Sequence, residues 1–248
     1  MNTNSNIYTI IYSTVLVVVV AAVLSIVATT LKDKQQANVD QETQTSLLNA
    51  INIAKDVNNY KGAERAEYVT KSYEKYVTDS YVVDINGNKV EGDAFKISMK
   101  HQYDILRNAV KGKSKEDVRL PIFVCSLNDS TKVQIFSVYG TGLWGPIWGY
   151  LALNSDFNTV YGAYFGNAGE TPGLGAEISS PWFSKQFKGK EIFKDNTFCS
   201  ISVVKGGAKG DIHGVDAVSG GTITSRSLDT TIRQWLELYL PYIQKEKK

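Results

Sequence analysis

The sequence predicts an α+β fold in which an N-terminal transmembrane helix precedes a mostly antiparallel sheet domain flanked by helices. Three observations carry this expectation. An uncharged apolar stretch runs from Ile7 to Leu31, strand-like runs follow one another from Arg119 to Lys205, and an amphipathic pattern closes the chain between Ser225 and Leu240. The expected division is an anchor over residues 1–34, a helical segment over 35–80 and the α+β domain over 81–248.

The apolar stretch has the centre Val-Leu-Val-Val-Val-Val-Ala-Ala-Val-Leu-Ser-Ile-Val-Ala. About 20 apolar residues suffice for a helix to cross a bilayer. No Lys or Arg precedes this one, and its apolar core is longer than that of a signal peptide, so it reads as a retained anchor. Lys32 and Lys34 follow it, which by the positive-inside rule puts the remaining domain in the cytoplasm. Asp33 partly offsets them, and long domains cross largely regardless of charge.

From Gln35 to Tyr81 the chain is polar and helical in character. Ser46–Ala54 places apolar groups at helical spacing, and Glu64–Tyr76 is a second candidate helix. Tyr81–Val90 reads as a hairpin turning on Asn86-Gly87. Strands are expected at Leu120–Leu127, Lys132–Tyr139, Trp148–Leu153, Thr159–Phe165 and Asn196–Lys205, runs rich in β-branched and aromatic residues. Asn154–Asn158 is a turn and Pro181–Phe187 a helix. The closing helix carries Leu228, Ile232, Trp235, Leu236 and Tyr239 on one face. Separate runs of strands and helices without βαβ alternation define α+β.

Composition narrows the function classes. With 27 basic and 25 acidic side chains, the net charge of +2 gives no electrostatic footprint for nucleic acid, and no basic cluster supplies one; Lys245–Lys248 is a short solvated tail. The two cysteines, Cys125 and Cys199, stand in apolar β-like surroundings and read as buried thiols, their pairing in an oxidising compartment left open. Neither Cys-x-x-Cys nor a two-histidine zinc motif occurs, so no metal ligand is assigned. No catalytic residue is assigned either.

Four glycine-rich stretches stand out: Gly140–Gly149, Gly169–Gly175, Lys205–Ala208 and Asp216–Ser225. Glycine lets backbone approach a ligand closely and adopt positive φ, and amides at the start of a helix cradle phosphate. Ser219–Thr222 lies just before the closing helix, where such a site belongs. Leu143, Trp144 and Leu174 could wall a planar ring, and Lys205 could place a positive charge beside it. Taken singly, each stretch is equally a turn, and Trp144 and Trp148 could be core or interface residues. P-loop, Rossmann and nucleophile-elbow patterns are missing.

Asp216-Ala217-Val218-Ser219-Gly220-Gly221-Thr222 resembles the flavinylation motif Asp-x-x-Ser/Thr-Gly-Ala-Thr. That motif belongs to the family comprising the C subunit of the sodium-translocating NADH:quinone reductase and the G subunit of the Rnf complex. Glu170-Thr171-Pro172-Gly173-Leu174-Gly175 and Val204-Lys205-Gly206-Gly207-Ala208 resemble further signatures of the same family. The similarity covers the anchor and the C-terminal half. The family has alanine where this chain has Gly221.

The resemblance implies an electron-transfer subunit that relays electrons through FMN. A flavin transferase places the cofactor on the motif's final threonine, Thr222, as a phosphoester; Thr224 is the nearest rival hydroxyl. Leu143, Trp144, Thr171, Leu174 and Lys205 are the implied flavin contacts, with Ser219, Gly220, Gly221 and Asp216 shaping the attachment element. The implied partners are the membrane and peripheral subunits of a six-subunit, ion-translocating complex, and this chain has no NADH site of its own. The resemblance also places a single-pass protein in the bacterial inner membrane with its flavin domain on the periplasmic side, against the lysine count. Gly142-Leu143-Trp144 and His213–Asp216 look closer to the reductase member of the family than to the Rnf member. An anchored binding or sensor domain without flavin is the alternative from another class, with Ser219–Thr222 serving as turn and helix cap.

Overall fold

The computed structural model describes Asn6–Lys247, apart from the side chains of Lys55 and Asn58. Residues 1–5 of the expected anchor and Lys248 of the tail lie outside the described residues. Two compact units are present, Met1–Thr43 and Gln44–Lys248.

The first unit belongs to helix α1 (Asn6–Ala50), a single helix of 45 residues. It is the one helix among the described residues long and apolar enough to cross a membrane, and none of its apolar window is buried by protein. Ile10, Ile11, Tyr12 and Leu24 are more than half exposed, on all sides of the helix. A helix apolar all round with no protein over it requires an apolar solvent. At about 1.5 Å per residue, Ile7–Leu31 extends about 37 Å, enough for the hydrocarbon core with some tilt.

In the second unit, the end of α1 buries Leu47, Leu48 and Ala50. A 3-10 turn at Ala54–Asn59, helix α2 (Gly62–Tyr76), the hairpin β1 (Val77–Val83) and β2 (Lys89–Val90), and helix α3 (Met99–Leu106) follow. Then come β3 (Leu120–Ser126), β4 (Lys132–Thr141), β5 (Pro146–Asn154), β6 (Val160–Asn167), α4 (Pro181–Lys185), the short strands β7 (Phe193–Lys194), β8 (Thr197–Phe198), β9 (Ser202–Val204) and β10 (Gly214–Asp216), and finally α5 (Thr222–Glu246). The main sheet has the order β2-β1-β3-β4-β5-β6 with every pair antiparallel.

Both faces of this sheet are covered. Leu120, Ile122, Phe136, Val138 and Leu151 join one core with Leu228, Ile232, Trp235 and Tyr239 of α5. Phe123, Cys125, Val133, Ile135 and Ala152 face the opposite way and join a second core with Leu47, Leu48 and Ile51. This is why β3 to β5 read as nearly continuous apolar runs rather than alternating ones.

The hairpin turn forms as its Asn-Gly pair predicts. Gly87 has φ +74°, and the Asp84 carboxylate accepts the Asn86 and Asn88 amides at 2.9 and 2.8 Å. Other details differ from expectation. Helix α3 lacks a long periodic run; the Ser98 hydroxyl caps it by accepting the His101 amide at 3.3 Å. The expected strand Asn196–Lys205 divides into β8 and β9 because Ser200 takes φ +65°. Strand β9 then pairs with β10 in parallel. Helix α5 starts three residues earlier than its apolar pattern and continues through Pro241. Cys125 is buried, Cys199 half-buried, and both are free thiols.

Burial sets an alkaline limit on stability. It pushes the Cys125 thiol and the Tyr73 phenol each up to about 12, and raises the fully enclosed Tyr239 and Tyr242 as well. Folded, these acids stay protonated; unfolded, they ionise from their ordinary values of 9.0 and 10.0. The folded state therefore holds more protons above pH 9, and stability falls as pH rises, by about 1.4 kcal/mol per pH unit for each group in its full window. Denaturation midpoints are expected to be flat from pH 7 to 8.5 and to drop steeply between pH 9.5 and 11. A midpoint unchanged at pH 11 contradicts this.

Candidate functional site

The loops β4–β5, β6–α4 and β10–α5 meet around one acidic side chain, Glu170. Its carboxylate is buried, with the residue only 5% exposed. Oε1 accepts the Trp144 amide at 2.9 Å, and Oε2 accepts the Thr224 hydroxyl at 2.5 Å. The Glu170 amide in turn donates to Asn167 Oδ1 at 3.0 Å, and Asn167 Nδ2 donates to Ser179 Oγ at 2.9 Å.

Two glycines make room for this carboxylate. A methyl group on Gly142 would lie 2.5 Å from Oε1, and one on Gly175 would lie within contact distance of both Glu170 and Thr224 Oγ1. Neither space can accept a side chain, so the glycines of Gly142-Leu143-Trp144 and Leu174-Gly175 serve the carboxylate. In the sequence, Glu170 stands out only as part of a motif and not as a site residue. The available signal is a lone acid among apolar and glycine-rich neighbours, a setting in which a carboxylate needs donors.

The turn before α5 closes onto the same loops. Gly221 N donates to Val218 O at 3.1 Å across a turn whose third residue, Gly220, has φ +74°. Glycine is the ordinary choice at that position. Gly220 lies over Leu174, where an added methyl would sit 2.5 Å from Cδ2. Gly221 lies over Gly175: a methyl there would stand 3.2 Å from the Gly175 backbone and from Val218. The departure from alanine at 221 thus lets this turn seat closely on the 171–175 loop. The Ser225 hydroxyl accepts the Val218 amide at 3.1 Å and completes the turn.

Thr222 is the first residue of α5 and is half-buried, its hydroxyl in no hydrogen bond among the described residues. The helix is capped by Gly221 without any side-chain bond, and its first turn holds no acidic residue. Ser219 is exposed and is not the cap; within Ser219–Thr222 the cap is the backbone of Gly221. The uncovered amides and the helix dipole leave a positive end. Thr224, by contrast, is only 1% exposed and bound to Glu170.

Outside α1, seven large apolar side chains are exposed among the described residues; three of them, Leu143, Trp144 and Leu174, belong to these loops and a fourth, Ile223, to the first turn of α5. Exposed apolar groups gathered on rigid loops mark a binding surface. Thr171 sits at the start of its loop, where its carbonyl accepts the Leu174 and Ala176 amides at 3.1 and 3.2 Å.

Lys205 is exposed just beyond β9. The turn after it is tied to Asp216, whose carboxylate accepts the Ala208 amide at 2.6 Å. Strand β9 is fixed to α5 by the Val203 amide, which donates to Asp229 at 2.7 Å. Asp216 is therefore a structural clasp between the Lys205 turn and the strand that leads into the Ser219–Thr222 turn.

Residues 142–237 match the FMN-binding domain family, a span that contains all three loops and most of α5. The chain is 34% identical to the C subunit of the Na(+)-translocating NADH-quinone reductase of Vibrio anguillarum, over 88% of this chain and 85% of that one. Solved structures are similar as well, two of them over most of the chain. That of the corresponding C subunit from Parabacteroides distasonis has a TM-score of 0.69 at 37% identity, covering 86% of this chain and 96% of that one. The NqrC structure from Shewanella oneidensis has a TM-score of 0.65 at 29% identity, covering 84% and 97%.

Proposed function

The chain belongs to the family of Na(+)-translocating NADH-quinone reductase C subunits, and we propose that it is the single-pass electron-transfer subunit of such a reductase, with FMN held as a phosphoester on Thr222. The observation that carries the attachment site is the contrast between two threonines. Thr222 offers an unengaged hydroxyl at an uncapped helix end, while Thr224 is buried and hydrogen-bonded.

The residues present fit the cofactor. The first turn of α5 presents amides and dipole to a phosphate, with no acid in that turn to repel it. Leu143, Trp144 and Leu174 offer exposed apolar surface for the ring, with Thr171 in the same loop as Leu174. Lys205 contributes a positive charge, which favours a negatively charged reduced cofactor and raises its potential. Gly220 and Gly221 let the turn lie against Leu174 and Gly175, and Ser219 and Asp216 serve recognition and shape of the attachment element.

Attachment exchanges the Thr222 O–H bond for an Oγ–P bond. The diphosphate P–O bond of FAD breaks, AMP leaves with the electron pair, the hydroxyl proton passes to solvent, and nothing is oxidised or reduced. A dedicated flavin transferase catalyses this exchange. Bound FMN supplies one- and two-electron transfer, and the protein supplies position and electrostatics. This chain hands electrons between neighbouring members of the membrane complex and has no NADH site of its own. The domain faces the periplasm of a bacterial inner membrane; Lys32 and Lys34 alone do not outweigh translocation of a whole domain.

The test is direct. Full-length protein co-expressed with a flavin transferase, denatured and run on a gel, should fluoresce under ultraviolet light. Peptide mass mapping should find the FMN increment on the peptide containing Thr222. A dark band from protein that has met an active transferase rejects the covalent reading.

A further inference from the structure

We infer that Glu170 is a positioning residue that directs flavin attachment to Thr222 by sequestering the competing hydroxyl of Thr224. The inference rests on the proposed attachment and deepens it. Two threonines stand two residues apart at the start of α5, each with a hydroxyl able to form a phosphoester. Residues i and i+2 on a helix do not face the same way. Thr222 points from the first helical position, whereas Thr224 turns inward to a carboxylate that is itself 5% exposed.

Glu170 acts in three ways. It holds the Thr224 hydroxyl as donor in a 2.5 Å hydrogen bond, so this oxygen cannot reach a phosphorus atom without breaking a buried contact. Its charge lies against Thr224, where it repels an incoming diphosphate. Through Oε1 it holds the Trp144 amide, and so ties the exposed apolar loop to the helix end that carries Thr222. The enclosing glycines, Gly142 and Gly175, lack the Cβ that would displace the carboxylate from this position. Selection between the two hydroxyls therefore does not rest with the transferase alone; this chain offers only one.

The experiment maps flavin attachment in full-length wild type, Glu170→Gln and Glu170→Ala, each co-expressed with the transferase. The readout is the ratio of Thr224-modified to Thr222-modified peptide, which does not depend on the total amount of folded protein. Wild type should carry FMN on Thr222 with no detectable Thr224 product. Loss of the buried hydrogen bond frees the Thr224 hydroxyl and should raise the ratio of Thr224-modified to Thr222-modified peptide about tenfold or more above the wild-type detection limit in Glu170→Ala. Glu170→Gln can still accept the Thr224 hydroxyl through its amide oxygen but turns a donor toward the Trp144 amide, so it should fall between the two. Where Glu170→Ala does not accumulate, the near-isosteric Glu170→Gln decides by the same ratio. Attachment to Thr222 alone in both variants, at whatever yield, overturns the inference. Wild type lacking any adduct on Thr222 instead overturns the attachment reading, and this inference with it.

Discussion

Thr222→Val should abolish covalent flavin completely while leaving the fold intact. Valine matches threonine in shape and β-branching, and the Thr222 hydroxyl makes no hydrogen bond that valine would break. Surface substitutions of this kind change stability by about 0.5 kcal/mol or less. The attachment chemistry, by contrast, needs the oxygen absolutely. Intact mass of the variant should match the bare polypeptide, and in-gel fluorescence should vanish at an unchanged denaturation midpoint. The control is Thr224→Val, which should keep fluorescence. It costs about 1–3 kcal/mol, because the buried Glu170 carboxylate loses a donor. Fluorescence lost in Thr224→Val and retained in Thr222→Val would move the attachment site by two residues.

Trp235→Ala should be the most damaging single truncation. Trp235 is fully buried in the core that joins α5 to the main sheet. Its Nε1 donates to the Tyr139 carbonyl of β4 at 2.5 Å. Removing the indole leaves a large cavity and a carbonyl without its donor, a loss of about 3–5 kcal/mol. A domain of this size is stable by only about 5–15 kcal/mol, so much of its margin would go. Chemical denaturation in detergent should show a lower midpoint with unchanged slope, and flavin yield should fall in parallel, since α5 also carries Thr222. Trp235→Phe should recover most of the packing but not the hydrogen bond. An alanine variant within about 1 kcal/mol of wild type would show that α5 is not held by this contact.

The main strands were legible in the sequence because β3 to β6 are long and apolar, and the hairpin because Asp84-Ile85-Asn86-Gly87-Asn88 encodes its own turn. The anchor was legible from length and lack of charge. What escaped was local. Helix α3 has a side-chain cap but is only eight residues long, too short for a sustained apolar period, and the division of β8 from β9 depends on one positive φ at Ser200. At the site, the glycine-rich stretches were visible but their tertiary reason was not. Gly142 and Gly175 are 33 positions apart in the sequence, and only the fold shows both lying against Glu170. The contrast between Thr222 and Thr224 was likewise invisible, because it depends on a carboxylate 54 residues upstream of Thr224.

Helix α5 has a mechanical consequence. It starts at Thr222 and runs 25 residues, about 37 Å, without interruption. Near its far end, the Tyr242 hydroxyl bonds to Tyr81 and Gln134 at 2.6 and 2.8 Å, and Lys245 grips Asn86 and Asn88 in the hairpin turn. On the proposed attachment, a cofactor on its first residue is mounted on a strut laid along one face of the sheet, which the Trp235–Tyr139 and Tyr239–Pro121 hydrogen bonds fix before the helix reaches Pro241. The phosphate end cannot swing like a carrier arm. On that proposal, motion of the ring is limited to what the ribityl chain allows, and any larger change in distance between successive redox centres comes from displacement of the domain or of its neighbours.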